Sequence, residues 1–195
     1  MSDSLKVNEI FYSLQGEGAR VGTANIFIRL SGCNLNCWFC DTSHYTYTVM
    51  SVREVMSEVA KFCPCKWVVL TGGEPTIQDI FPLLRELKRR DYSVAIETNG
   101  VKSIAPYRSY VDWVAVSPKT VMNKYYTFEA PDEVKNIVLP DNEIVYWKFK
   151  QPHNCQYFLQ PEGNKPENIK RCVEIIKKDP RWRLSLQIQK VIGIR

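Results

Sequence analysis

The chain has 195 residues, 45% apolar and 24% charged, with a formal net charge of +5. That length suits one ordinary domain burying about 70% of its unfolded surface without disulfides, and no apolar run approaches the roughly 20 residues of a membrane span. The charge admits anionic ligands without demanding nucleic acid, and seven cysteines behind the polar start Met1-Ser2-Asp3-Ser4 predict a reducing, cytoplasmic setting with no membrane or nucleic-acid partner.

Asn25 to Ser31 alternates Ile26, Ile28 and Leu30 with Phe27 and Arg29, the pattern of a half-buried strand. Its end runs into Cys33-Asn34-Leu35-Asn36-Cys37-Trp38-Phe39-Cys40, a C-x3-C-x2-C loop. Ser51 to Phe62 predicts a helix: Ser51 and Glu54 form a capping box, and Val52, Val55, Met56 and Val59 make its apolar face. Trp67 to Thr71 is a buried strand stopped by Gly72. A helix then runs to Arg90, with Asp79 as cap and Pro82 in its first turn, and Lys88-Arg89-Arg90 sets cations against its carbonyl end. Ser93 to Glu97, Asp112 to Val116, Val145 to Phe149, Gln156 to Gln160 and Arg183 to Gln189 complete the predicted strands, and Pro166 to Lys178 is a helix opened by proline. Met122 to Asn142 has the least regular pattern and reads as a loop or insertion.

Such alternation implies a mostly parallel sheet with right-handed crossovers. About six or seven strands fall short of the eight strand-helix units of a closed barrel, so the expected fold is α/β, a partial TIM-like barrel forming a single domain over residues 1–195. Ligands of such sheets gather at the C-terminal strand ends. There lie the cysteine loop, Thr71-Gly72-Gly73-Glu74-Pro75, Glu97-Thr98-Asn99-Gly100, Ser117-Pro118-Lys119 and Gln160-Pro161-Glu162-Gly163.

Three clustered thiolates can hold three irons of a cubane 4Fe-4S cluster and leave the fourth iron open to a small molecule. A zinc site would need a distant fourth ligand, with only His44 and His153 on offer. Cys63, Cys65, Cys155 and Cys172 read as free thiols. Gly72 and Gly73 permit close backbone approach, and Thr42 offers either a hard oxygen for magnesium or a local turn hydrogen bond.

The cysteine spacing resembles the signature of radical S-adenosylmethionine enzymes. Together with Leu14-Gln15-Gly16-Glu17-Gly18, the Arg29 strand, Asp41-Thr42, the other strand-end turns and the ending Lys190 to Arg195, it resembles the 7-carboxy-7-deazaguanine synthases from Gln15 onward. That resemblance implies ring contraction of 6-carboxy-5,6,7,8-tetrahydropterin to 7-carboxy-7-deazaguanine with loss of ammonia, on the way to queuosine and other 7-deazapurines. It implies a 4Fe-4S cluster on Cys33, Cys37 and Cys40, S-adenosylmethionine as a regenerated radical source, and Mg2+ on Thr42. Leu14, Gln15, Gly16, Arg29, Thr71 and Arg195 would meet the pterin. Phe39, Cys40, Asp41, Gly73, Ser117, Pro118, Lys119, Gln160, Pro161, Glu162 and Gly163 would contact S-adenosylmethionine, and Glu97 would transfer a proton. A homodimer and an electron donor such as flavodoxin follow from the same likeness. The chain departs from it in reading Gln187-Ile188-Gln189-Lys190 where many relatives read Gln-Thr-His-Lys, and in ending on Arg195 where proline is common. Two other readings stand beside it: a glycyl-radical-enzyme activase, which would have no need of the Gln15 to Gly18 segment, and an iron-sulfur electron-transfer module, which would ordinarily need a fourth ligand.

Overall fold

The computed structural model describes residues 3–119, 131–142, 144 and 154–195. Its strands are β1 (Ser4–Leu14), β2 (Ala24–Leu30), β3 (Thr48–Ser51), β4 (Trp67–Gly72), β5 (Ser93–Thr98), β6 (Trp113–Val116), β7 (Glu133–Val138), β8 (Gln156–Pro161) and β9 (Trp182–Leu184). Its helices are α1 (Val52–Ala60), α2 (Phe81–Arg89), α3 (Pro166–Lys178) and the short α4 (Ile188–Val191). One sheet holds all these strands in the order β3-β1-β2-β4-β5-β6-β7-β8-β9. From β2 to β9 every pairing is parallel, whereas β1 lies antiparallel to both β2 and β3. The two edge strands do not meet, so the fold is an open, partial barrel: seven parallel strands with an antiparallel flap on one side.

Strand alternation sorts the side chains onto two faces. Ile26, Ile28, Leu30, Leu70, Ile96 and Val114 point to the helix side, where they are fully buried against Val55, Met56 and Val59 of α1 and Leu83, Leu84 and Leu87 of α2. Burial of each such side chain contributes about 1.5–3 kcal/mol. A second core joins Val138, Leu159 and Trp182 to Cys172 of α3. The opposite face carries Phe27, Arg29, Thr71, Glu97 and Lys135.

α1 begins where its cap dictates, with Ser51 and Glu54 exchanging both bonds of the capping box. The expected Asp79 cap of α2 is corrected: Ile80 is the N-cap and carries no side-chain cap bond, while Asp79 one residue earlier accepts from Phe81 N at 3.3 Å and Pro82 lies in the first turn. Three further expectations need correction. Ser4–Leu14 was not anticipated as a strand because a register shift between Val7 and Glu9 interrupts its alternation. The expected loop Met122 to Asn142 contains β7, in which charged Glu133 and Lys135 hide a strand pattern. The expected strand Arg183 to Gln189 stops at Leu184 and gives way to α4, because Gly16 O takes the Ile188 N–H (3.0 Å) and draws the chain across the turn after β1. The expected strand Val145 to Phe149 lies outside the described residues. Among the described residues no helix is long and apolar enough to cross a membrane.

Candidate active site

The strand ends of the inner face surround a cavity of about 470 Å³. Its lining includes Cys33, Cys37, Cys40 and Thr42 of the cysteine loop, Leu14 to Glu17 after β1, Arg29, Thr71, Gly73, Glu97, Ser117, Lys119, Gln160, Glu162, Gly163 and Arg195. Phe39 and Asp41 also line it. Of the residues singled out in the sequence, Pro118 and Pro161 do not; each stands between or beside residues that do.

The cysteine loop is seated by backbone contacts. Gly73 N donates to Leu30 O (3.0 Å) and Glu74 N to Gly32 O (2.8 Å), so the turn after β4 lies directly against the start of the loop. The approach is so close that a Cβ on Gly73 would fall 1.8 Å from Gly32 O, and Gly72 holds φ at +127°. Both glycines are therefore required by backbone meeting backbone. Glu74 locks the same turn to the next one. Fully buried, it accepts from Thr76 N (3.1 Å), Thr76 Oγ1 (2.7 Å), Thr98 Oγ1 (2.8 Å) and Asn99 N (2.7 Å). Asn99 in turn bonds Asn34 Oδ1 (2.8 Å) inside the cysteine loop.

The donor set fits an iron-sulfur cluster better than a single ion. Among the described residues no three His, Cys, Asp or Glu side chains converge on one metal-sized point. The three thiols line the same cavity, and a cubane takes each thiolate on a different iron. Leu35 N already donates to Cys33 Sγ at 3.4 Å, the kind of hydrogen bond that tunes a cluster. Burial pushes the Cys33 and Cys37 thiols up, and Lys119 opposes the rise at Cys37.

The cavity floor is a polar lattice that the motifs only partly revealed. Gln15, nearly buried, donates to Glu97 Oε1 (3.2 Å) and accepts from Glu17 N (3.3 Å). Lys135 bridges Glu97 Oε2 (2.7 Å) and Glu17 Oε2 (3.1 Å), while Gln187 and Gln189 donate to Glu17 Oε1 (2.9 and 3.2 Å). Burial raises the Glu17 carboxyl, but Lys135 and the two glutamines more than reverse this and hold it below the ordinary value. Glu17, Lys135, Gln187 and Gln189 were missed as site residues. Lys135 sits in the run read as a loop, and a charge between buried neighbours on one strand was the available signal.

One wall is built from the tail. Arg29 Nε bonds Glu9 Oε1 at 2.7 Å, and the Arg195 guanidinium bonds Glu9 Oε2. Ser13 Oγ donates to Arg195 O (2.5 Å), and Phe11 stacks on Phe27 with ring centroids 5.0 Å apart. Asp41 accepts from Gln187 Nε2 (3.0 Å) and Lys190 Nζ (2.5 Å), tying the cysteine loop to the same tail.

Behind the floor, Glu133 faces Glu97 across Ala115 in register. Burial, only partly offset by Lys135 and reinforced by Glu97, pushes its carboxyl up to about 7. The unfolded chain then loses this proton near 4.5 while the fold keeps it, so stability falls as pH rises from about 4.5 to 7 and is flat above. Glu133→Gln is expected to remove on the order of 2 kcal/mol of that decline. Urea unfolding of parent and variant between pH 5 and 8 measures it; parallel curves would refute it.

Comparison with known proteins agrees with this geometry. Residues 27–138 match the Radical SAM superfamily. The 7-carboxy-7-deazaguanine synthase of Bacteroides thetaiotaomicron is 43% identical over 97% of this chain and 98% of its own length, and that of Haemophilus influenzae 36% identical over 98% and 94%. The crystal structure of QueE from Escherichia coli superposes with a TM-score of 0.74 at 27% identity, covering 94% of each chain. Three thiols on a strand-end loop, the glycine turn packed against them and full-length likeness to these enzymes place the chain in the radical S-adenosylmethionine superfamily, and within it among the 7-carboxy-7-deazaguanine synthases.

Proposed function

We propose that this chain converts 6-carboxy-5,6,7,8-tetrahydropterin to 7-carboxy-7-deazaguanine with loss of ammonia. The observation that carries the reading is the single cavity shared by the cysteine loop, the Gln15 to Glu17 turn and the tail. The 4Fe-4S cluster and S-adenosylmethionine of this superfamily, when bound at Cys33, Cys37 and Cys40, supply the radical that takes and returns one hydrogen. The remaining work belongs to side chains. Arg29 is held through Nε on Glu9, and the planar fork beside it suits a substrate carboxylate. Gln15 and Thr71 offer donor and acceptor groups to a pterin edge, and Leu14 and Gly16 border it. Glu97 stands ready to accept a proton at its carboxylate, held between Gln15 and Lys135.

Ser117, Lys119, Gln160, Glu162 and Gly163 line the same cavity with Pro118 and Pro161 between them, and these turns suit the adenosyl and methionyl groups. Thr42 places its hydroxyl in the cavity beside Asp41 (3.4 Å), which supports a hard-oxygen site for Mg2+. The resemblance further supports a homodimer, a flavodoxin-like electron donor and a cytoplasmic setting. An activase would act on a large protein, whereas here the tail walls the cavity and the full-length relatives are synthases.

Anaerobically reconstituted, reduced protein is expected to release ammonia and the deazaguanine in equal amounts from the pterin, without net loss of S-adenosylmethionine. Production of 5′-deoxyadenosine with no such product would overturn the reading. Gln15→Ala and Arg29→Ala should each weaken pterin binding to the oxidised enzyme by about 1.5–3 kcal/mol, with Gln15 at the low end. Titration calorimetry tests this, and cofactor affinity should stay within error.

A further inference from the structure

We propose that Lys135 is a positioning residue for the substrate: its ammonium sets the geometry of Glu17 and Glu97 together and keeps pterin binding independent of pH across neutrality. The inference rests on the synthase reading above. Lys135 rises from β7 with a side chain only 4% exposed, and touches two carboxylates that come from the turn after β1 and from β5. Among the described residues the far oxygen of each carboxylate meets neutral amides, Gln15 at Glu97 and Gln187 with Gln189 at Glu17. Among the described residues two further cations act on these carboxylates, Lys119 on Glu17 and Arg20 on Glu97, but the hydrogen bonds given for them run to other groups. Lys119 Nζ bonds Ser117 Oγ (2.9 Å), and Arg20 bonds Asn25 Oδ1 (2.6 Å) and lies 3.6 Å over the Trp67 ring. Glu133, on the same strand, adds a third carboxyl that faces Lys135 and receives the Ala19 N–H at 2.7 Å.

Two carboxylates so enclosed cannot both stay ionised without a cation between them, because like charges in a low-dielectric site force a proton onto one. Burial lowers the Lys135 ammonium, yet Glu97, Glu17 and Glu133 together raise it far above the ordinary lysine value, so the cation persists at every working pH. Removing it should place a proton on the Glu17–Glu97 pair, turning an acceptor that faces the cavity into a donor. Pterin amino groups, which are donors, would then lose their partner until the pH rises enough to strip that proton.

The test uses the reconstituted holoenzyme with its cluster oxidised and S-adenosylmethionine bound, and follows pterin affinity across pH 5.5 to 8.5. Parent and Glu133→Gln are expected to give flat profiles, which separates the Glu133 titration from that of the pair. Lys135→Gln should bind about tenfold or more weakly at the acid end and recover as pH rises, as a carboxyl displaced upward by roughly two units or more requires. Lys135→Arg should keep the flat profile at reduced affinity. A flat Lys135→Gln profile overturns the proposal, whether affinity is unchanged or falls as much as in Lys135→Arg, since the latter marks packing alone. If Lys135→Gln does not retain its cluster, Lys135→Met carries the test in its place, with the same loss at the acid end expected and a flat profile the overturning result. Failure of the parent itself to bind pterin would instead sink the synthase reading.

Discussion

Cys37→Ala is expected to yield no 5′-deoxyadenosine and a protein that cannot retain a complete cluster, and Cys33→Ala and Cys40→Ala should behave alike. Three thiolates are the minimum for holding three irons while the fourth stays open, so losing one leaves two irons without protein ligands. The other cysteines supply the control. Cys63 is exposed, Cys65 and Cys155 are partly buried, and Cys172 is packed in the second core, where burial pushes its thiol up to about 12. None of these lines the cavity. Alanine at any of them should spare radical formation, with Cys172→Ala losing some stability through a small void. Iron analysis and deoxyadenosine yield after anaerobic reconstitution decide the matter; normal yield from Cys37→Ala would sink the cluster assignment.

Glu74→Ala should be the most destabilising single substitution at the site, by about 3–5 kcal/mol, because several buried donors lose their acceptor at about 1–3 kcal/mol each before relaxation. Four donors converge on this carboxylate, two from its own turn and two from the turn after β5. Truncation strands all four in a space that water does not reach. Against a total stability of about 5–15 kcal/mol, that is a large fraction. Because Asn99 also bonds Asn34, the slackening should reach the cysteine loop and weaken S-adenosylmethionine binding. Urea denaturation measures the first effect and equilibrium binding the second; a loss under about 1 kcal/mol would contradict the network's role.

Where local chemistry sets the outcome, the chain could be read directly. The Ser51–Glu54 box starts α1, the Pro166 helix runs to Lys178 as expected, and the alternation at 26–30 assigns Phe27 and Arg29 to the cavity and the isoleucines to the core. Strand-end turns were legible for the same reason, since glycine pairs and polar heads mark them. Long-range compensation was not legible. Lys135 looks out of place in a strand until Glu17 and Glu97 arrive from segments 118 and 38 residues away. Likewise Gln187 and Gln189 read as the end of a strand and as a departure from the family's Gln-Thr-His-Lys until the tail folds over Glu17. The bulge in β1 and the turn into α4 arise from such tertiary partners, to which pattern reading is blind.

The span between Glu17 and the tail has a consequence for how the enzyme is made. Partners 170 and 172 residues apart must meet before the cavity floor exists. At a ribosomal pace of about 5–20 residues per second, the Gln15 to Gly18 turn waits roughly ten to thirty seconds for Gln187 and Gln189 to emerge. The cysteine loop and its seat on β4 are complete long before that. The thiols of the cysteine loop therefore leave the ribosome well before Gln187 and Gln189, the residues that complete the floor beside them.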